Sequence, residues 1–367
     1  MKNILILTTS YGHGHLATAR ALEEGLRARS TAPIAVEIVD FTETISSLLN
    51  KTSKRVYEDT AKYAPLLYKL FYESTDYELP IKAFNSVNYR ISREKILDLF
   101  RSKQPDLIIC NSPHWQYIAS LAREQDFKNT PLISVITDSI TIHASWSLGD
   151  SDYYITPNQE TSQSLQKLGI ESSKILALGY PISLVFSDKT FYKANFFNDI
   201  GLKTNVKSIL LLANGMRTSV VSKTIHRLQD EIPYAQLIVI TGQDELLYPK
   251  LKTIFGPTIH LLKWTDKLPQ YIMSSDLVIT KAGGSTVMEC LGAKKPVIIS
   301  KIIPGQEVGN AEYISRHKLG IVALDPDMIV VAATLILNNL TTYHQHLTKA
   351  AQPKATSDIA DFLLNII

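Results

Sequence analysis

Residues 281–310, KAGGSTVMECLGAKKPVIISKIIPGQEVGN, decide how this chain is read. They start where a short apolar, β-branched run, Leu277-Val278-Ile279-Thr280, has the character of a buried strand. Gly283 and Gly284 then allow a tight turn and let the backbone approach a ligand with no Cβ in the way. Ser285 stands where it can cap the following helix, whose apolar Val287, Met288 and Leu291 recur at helical spacing. The unpaired N–H groups of such a first turn and its positive dipole end favour phosphate, so Gly283, Gly284, Ser285 and Thr286 are candidate diphosphate contacts. Glu289 lies one turn further in, where a carboxylate can accept from ribose hydroxyls. A second strand, Pro296-Val297-Ile298-Ile299-Ser300, delivers Gly305, Gln306, Glu307 and Asn310, flexible backbone and polar side chains suited to sugar hydroxyls. Phosphate, ribose and hexose contacts in one continuous stretch imply a nucleotide-sugar binder.

This stretch resembles the donor site of inverting GT-B glycosyltransferases, the group that includes the lipid II-forming N-acetylglucosaminyltransferase. It is similar in particular to the monogalactosyldiacylglycerol synthases and the bacterial diacylglycerol glucosyltransferases, which carry a KAGPGT-like turn, a glutamate soon after, and a GQE-x-GN segment. Here the turn reads KAGGST, so Gly284 and Ser285 depart from the lipid enzymes, whereas the GQEVGN string of residues 305–310 follows them.

A matching partner stands at the N-terminus. Residues 4–7, ILIL, read as a first buried strand, and Thr8-Thr9-Ser10-Tyr11-Gly12-His13-Gly14-His15 follows at once. Leu16, Ala19, Leu22 and Leu26 then fall on one helical face. Gly12 and Gly14 therefore sit in a strand-to-helix loop with His13 and His15 at the helix entrance. By themselves these histidines fit a loop cap as well as a reactive group. The run resembles the S/T-x-GxGH start of the same lipid enzymes, which implies that His15 is the general base and that Gly12, His13 and Gly14 line the acceptor side. An imidazole with an unperturbed pKa near ~6.5 suits that task at neutral pH.

At 367 residues the chain exceeds one ordinary core, so two domains are the default. A 45% hydrophobic and 20% charged composition is that of a folded globular protein. Cys110 and Cys290 lie in apolar segments without metal-ligand or CxxC spacing and read as core thiols of a reducing compartment. No secretory signal is visible, and the longest apolar run, residues 328–337, is well short of the ~18 needed to span a bilayer. A net charge of +3 and the absence of a recognised module argue against nucleic acid.

Strands alternate with helical patterns twice along the chain, at residues 4–7, 35–39, 107–110, 132–136, 153–155 and 175–178, then at 209–212, 236–240, 260–262, 277–280 and 297–299. Such alternation predicts an α/β protein with two parallel, doubly wound sheets, whose ligands bind off the carboxyl ends of the strands. Gly179-Tyr180-Pro181 marks the hinge. The expected fold is GT-B: two Rossmann-like domains facing a central cleft, the acceptor domain at 1–180 and the nucleotide-sugar domain at 181–345. The resemblance further implies that residues 346–367 form a helical segment crossing back to the first domain.

Further candidates follow from the same scheme. Gly215 and Arg217 open a helix after the strand 209–212, where related enzymes place a GG-x-G or GGxxG loop. Gly242 ends the next strand, and Trp264 either stacks on the nucleobase or fills space at the sheet end. On the acceptor side, His114 follows a strand, and Thr137-Asp138 with His143 and Trp146 matches a TD…H..W pattern of the family. Asp138 either orients a histidine, as a carboxylate orients an imidazole base elsewhere, or caps the following turn. Two DxD matches, Asp150-Ser151-Asp152 and Asp325-Pro326-Asp327, read as a loop and a helix start, and no metal site is expected. Helix N-termini and basic groups would stabilise the departing diphosphate instead.

Between Thr42 and Lys103 the alternation breaks into amphipathic helix. Residues 51–103 hold eleven basic and seven acidic side chains interleaved with tyrosines and phenylalanines. Such a segment either packs on the sheet with a solvated charged face or lies in an anionic membrane interface. The resemblance implies the latter.

Taken together, the expectation is an inverting, metal-independent hexosyltransferase without a cofactor. It moves glucose or galactose from a UDP-sugar to a membrane lipid, diacylglycerol first, to give a β-glycosyl lipid. It works as a peripheral protein on the cytoplasmic face of the cell membrane. A polyprenyl-linked acceptor, a non-catalytic nucleotide-sugar sensor and a sugar 2-epimerase of the same fold are the alternatives.

Overall fold

The computed structural model describes residues 1–9, 14–40, 69–70, 72–74 and 76–367, apart from the side chains of 78–80, 83–85 and 114. Two compact units emerge. The first comprises Met1–Leu184, Ile303–Gly309 and Lys354–Ile367, the second Val185–Ile302 and Asn310–Pro353.

In the first unit six parallel strands, β1 (Lys2–Thr8), β2 (Ile34–Asp40), β3 (Leu107–Cys110), β4 (Leu132–Val135), β5 (Tyr153–Ile155) and β6 (Ile175–Leu176), are ordered β2-β1-β3-β4-β5-β6. Continuous apolar runs such as residues 4–7, all at most 2% exposed, are what strands covered on both faces need. On one face Leu5, Leu7, Ile108 and Cys110 meet Ile96, Leu97 and Phe100 of the helix Glu78–Lys103 and Ile118, Ala119 and Ala122 of the helix Pro113–Asp126. On the other, Ile4, Ile6 and Ile109 meet Ala19, Leu22 and Leu26 of the helix Gly14–Arg29. The last helix, Ala355–Ile366, inserts Ile359, Ala360 and Leu363 into that same cluster.

In the second unit β7 (Lys207–Leu212), β8 (Ala235–Ile240), β9 (His260–Leu262), β10 (Leu277–Lys281), β11 (Val297–Lys301) and β12 (Gly320–Val322) form a parallel sheet ordered β12-β11-β10-β7-β8-β9. The helices Thr218–Glu231 and Pro326–Asn338 supply Val221, Ile225, Leu228, Ile329, Ala333 and Ile336 to its core. The fold is thus α/β with two doubly wound parallel sheets, as the alternation predicts. β12 is an addition: Ile321 and Val322 are β-branched, but a three-residue strand starting on glycine is too short to show a pattern in the sequence.

Neither DxD match is a carboxylate cluster awaiting a cation. Asp325 accepts from the Asp327 amide at 2.8 Å and caps the helix Pro326–Asn338. Asp152 accepts from the Leu132 amide at 2.7 Å and pairs with the buried Arg123. Cys110 and Cys290 are buried, free thiols whose pKa is raised by desolvation.

Candidate functional site

In the first sheet the chain leaves β1 for β2 on one side and returns to β3 on the other, so the loops after β1 and β3 part at the carboxyl ends of the strands. His15, in the first turn of the helix after β1, stands at this switch point. Its Nδ1 lies 2.7 Å from the main-chain oxygen of Asn111, the residue after β3, and 3.3 Å from the Thr137 hydroxyl after β4. A carbonyl only accepts, so Nδ1 carries the proton and Nε2 the lone pair. Burial pushes the imidazole below its ordinary pKa against the weaker opposing effect of that hydrogen bond. Near neutral pH the ring is therefore uncharged and able to take a proton. Gly14 begins the same helix, and its carbonyl accepts from Thr18 Oγ1 at 3.0 Å. Gly12 and His13 lie outside the described residues, as does the His114 side chain, although its backbone starts the helix Pro113–Asp126.

The carboxylate expected behind a histidine is elsewhere. Asp138 Oδ2 accepts from the indole Nε1 of Trp146 at 2.7 Å, and burial pushes its carboxyl up to about 6 against that hydrogen bond. Trp146 is fully buried in a cluster with Ile136, Ile142, Tyr154 and Leu165. This corrects two readings: Asp138 holds an interior indole rather than the His15 ring, and Trp146 is a core side chain rather than an acceptor contact. His143 is 8% exposed and caps the short turn Ala144–Ser147, accepting from the Ser145 amide at 3.2 Å. Its edge meets Tyr72, and its Nε2 lies 3.9 Å from Asp76. Burial lowers its pKa while Asp76 opposes the shift, so His143 too has an interior role in place of the acceptor contact read from sequence.

The 303–309 segment belongs to this first unit, and both of its glycines have packing reasons. A Cβ on Gly305, whose φ is +84°, would stand 2.5 Å from the Tyr72 ring, and one on Gly309 would stand 1.8 Å from the Ser139 oxygen. Glu307 is 3% exposed, and its Oε2 accepts from the Ile303 amide at 2.9 Å, closing the turn on itself. Gln306 is beside it, partly buried.

The second sheet has its own switch point, between β7 and β10. After β10 the helix Gly284–Gly292 starts with Gly283 as N-cap and no capping side chain, so Ser285 is not the cap that the sequence suggests. Ser285 instead sits in the first turn, its hydroxyl directed at Glu289 Oε1 at 3.5 Å. The first-turn amides of Ser285 and Thr286 thus have no side-chain cap and point off the sheet end, the arrangement that suits an anion. Partly buried Glu289 has its carboxyl pushed up to about 7 by desolvation, against the Ser285 hydrogen bond. Asn310 donates from Nδ2 to the Ala282 oxygen at 2.9 Å, bracing the turn, while its buried Oδ1 has no partner.

After β7, Gly215 has φ +76°, and its carbonyl accepts from Lys301 Nζ, at the end of β11, at 2.7 Å. Lys301 thereby brings an ammonium to the carboxyl ends flanking the Gly283 turn, a contribution that nothing in the sequence distinguishes from an ordinary strand end. Arg217 is exposed and is the N-cap of the helix Thr218–Glu231. Gly242, φ +67°, follows β8, and Trp264 follows the edge strand β9. Trp264 is 58% exposed, so it does not fill space at the sheet end. The structure therefore gathers Gly215, Arg217, Gly283–Thr286, Glu289 and Asn310 about the switch point and sets Trp264 two strands away.

Two family models cover most of the chain. Residues 15–182 match monogalactosyldiacylglycerol (MGDG) synthase, and residues 217–363 match the glycosyltransferase family 28 C-terminal domain. The chain is a glycosyltransferase. A processive diacylglycerol beta-glucosyltransferase of Staphylococcus epidermidis is 28% identical over 372 residues, spanning 100% of this chain and 93% of that protein. A probable chloroplastic monogalactosyldiacylglycerol synthase 2 of Oryza sativa is 26% identical, spanning 98% of this chain and 79% of that one. Among solved structures, the UDP complex of Staphylococcus aureus MnaA superposes with a TM-score of 0.66 at 15% identity over 100% of this chain and 98% of that one. MurG of Acinetobacter baumannii superposes with a TM-score of 0.62 at 13% identity, with both chains covered over 100%. These likenesses show the GT-B fold. In this glycosyltransferase His15 opens the first matched domain, and the Gly283 turn lies inside the second.

Proposed function

We propose that the chain transfers a hexose from a UDP-sugar to diacylglycerol with inversion at the anomeric carbon, giving a β-glycosyl glycerolipid. The observation that carries this reading is His15. Its proton is committed to Nδ1, its Nε2 is left as a base, and it lies in the domain that matches MGDG synthase. The names of the curated relatives support diacylglycerol as the acceptor.

His15 Nε2 takes the proton of the acceptor hydroxyl as its oxygen attacks the anomeric carbon from the face opposite the diphosphate. Attack from that face inverts the configuration, and UDP departs with the bonding pair. The first-turn amides of the helix Gly284–Gly292, with Arg217 and Lys301, stabilise the charge that collects on the diphosphate, so no metal is needed. Glu289 accepts from the ribose, Gly305, Gln306 and Glu307 line the sugar, and Gly242 and Trp264 line the base.

Among the described residues no helix is long and apolar enough to cross a membrane. A peripheral site on the inner face of the cell membrane is the corresponding proposal. On the helix Glu78–Lys103, Ile96, Leu97 and Phe100 face the core, while Val87 and Ile91, one turn apart, are 55% and 66% exposed beside the exposed Arg90. An apolar pair beside a cation suits an anionic interface. Binding to phosphatidylglycerol vesicles should weaken with salt and with Val87→Asp/Ile91→Asp; vesicle binding insensitive to both would remove this face from the reading.

The test of function is UDP release from UDP-glucose and from UDP-galactose, with and without diacylglycerol in anionic micelles, in EDTA. Lipid-dependent release that His15→Ala abolishes, with UDP binding kept, is the expected result. Release needing no lipid, or conversion of the UDP-sugar without an acceptor, would refute it.

A further inference from the structure

Asn111 touches His15 twice, and through different groups. Its main-chain oxygen meets the ring at Nδ1, 2.7 Å away, and its side-chain Nδ2 donates to the His15 main-chain oxygen at 2.6 Å. The two contacts close a small ring across 96 residues of sequence, joining the loops that flank the switch point of the first sheet. Asn111 is itself fixed. It is fully buried, and its amide donates to the Leu7 oxygen at 3.2 Å, continuing the β1–β3 ladder by one residue. Its neighbour Ser112 accepts from Thr9 Oγ1 at 3.4 Å, a second stitch across the same crevice.

From this geometry we infer that Asn111 is the positioning residue of the base: gripping both ring and peptide of His15, it holds the Nδ1–H tautomer and aims the Nε2 lone pair. The inference rests on His15 being the base of the proposed reaction.

Three features single out the side chain. An apolar residue of similar size at 111 would keep the carbonyl but lose the grip on the His15 peptide, the anchor that holds the ring against that carbonyl. The Oδ1 of Asn111 is buried without a partner, so the residue is not retained for a saturated hydrogen-bond network. The carboxylate nearest in sequence to the Thr137 contact, Asp138, is engaged by Trp146, which leaves Asn111 and Thr137 as the partners of Nδ1. A neutral carbonyl in that role fixes the tautomer, and it raises the ring's proton affinity by less than burial lowers it. The ring of a free histidine side chain prefers the other tautomer, with the proton on Nε2, so holding this one is a task the protein must perform.

Asn111→Ala removes an orphaned acceptor together with the donor, which favours a folded variant; Asn111→Ser restores a shorter donor. Three quantities are measured on the full chain: UDP affinity by calorimetry, kcat and KM for lipid-dependent UDP release, and the ¹⁵N shifts of the His15 ring, assigned by the signals missing in His15→Gln. The native protein should show a protonated Nδ1 and a bare Nε2. Asn111→Ala should keep UDP affinity, lose between about ten- and a hundredfold in kcat with donor KM unchanged, and show Nε2–H signal growing in. Asn111→Ser should recover part of both. A native His15 protonated on Nε2, or an Asn111→Ala variant with native kcat, would overturn the inference. Full turnover by His15→Ala would instead overturn the base assignment, and the ring shifts would still test the grip itself.

Discussion

If Glu289 receives the ribose hydroxyls, donor binding is linked to its ionisation. Burial holds the carboxyl at about 7 in the ligand-free protein, so near neutral pH about half the molecules carry it protonated. Two ribose hydroxyls donating to the carboxylate favour the charged form and draw the pKa back toward its ordinary value near ~4.3. The sign follows: the bound state holds fewer protons, so affinity rises with pH and a proton is released on binding. With a free-state pKa of about 7, the binding-competent carboxylate is about one part in eleven at pH 6 and about ten parts in eleven at pH 8. UDP-glucose affinity should therefore rise about tenfold over that range, or about 1.4 kcal/mol. A UDP-sugar is the right probe because its diphosphate has no group titrating there, unlike UDP. Calorimetry in two buffers of different ionisation enthalpy counts the protons directly: close to one released at the acid end and few at the alkaline end. Glu289→Gln should bind more weakly and lose the pH dependence. Affinity flat across the range, or falling as pH rises, would refute the linkage and remove Glu289 from the ribose.

Other consequences concern stability. Gly309→Ala puts a Cβ against the Ser139 oxygen and the Thr141 amide, both backbone, so the 303–309 segment or the loop at 139–141 must move. A loss of about 1–3 kcal/mol is expected by denaturant unfolding, and a variant as stable as the native chain would contradict the packing described. Asp325→Ala removes a helix cap and should lower the melting temperature by about 2 °C while leaving EDTA-resistant turnover intact; loss of turnover would point to a metal role for the second DxD match.

The fold was legible because a strand covered on both faces must be apolar along its length, and residues 4–7, 107–110 and 277–279 are. The Gly283 turn and His15 were legible for a related reason: a loop that follows such a strand and opens a helix has one place to be in a doubly wound sheet. What failed were inferences from residue type to ligand contact. Trp146, His143 and Asp138 have chemistry suited to a site, yet they hold one another's surroundings together inside the first unit, because buried polar groups need partners and these supply them. Gly305 and Gly309 each have a close neighbour that a Cβ would strike, a packing requirement that the string of residues 305–310 does not announce. Asn111 was missed altogether. Its contact with His15 spans 96 residues and uses a main-chain oxygen, which no side-chain pattern encodes.

His15 and Glu289 are both desolvated into their uncharged forms, but substrate acts on them differently, and this separates two limbs of the pH profile. Donor binding draws the pKa of Glu289 down, so protonation of Glu289 costs the free enzyme its substrate without costing the bound complex its turnover. His15 receives no ionic partner from the neutral lipid hydroxyl, and in the free protein burial keeps its pKa below the ordinary imidazole value. The expectation is that kcat/KM for the UDP-sugar falls as pH drops through about 7, while kcat at saturating donor persists and falls only at lower pH, as His15 gains its proton. In Glu289→Gln the first limb should vanish and the second remain. Coincident limbs for kcat and kcat/KM in the native enzyme would show that one group governs both, and that Glu289 and His15 do not divide donor binding and proton transfer between them.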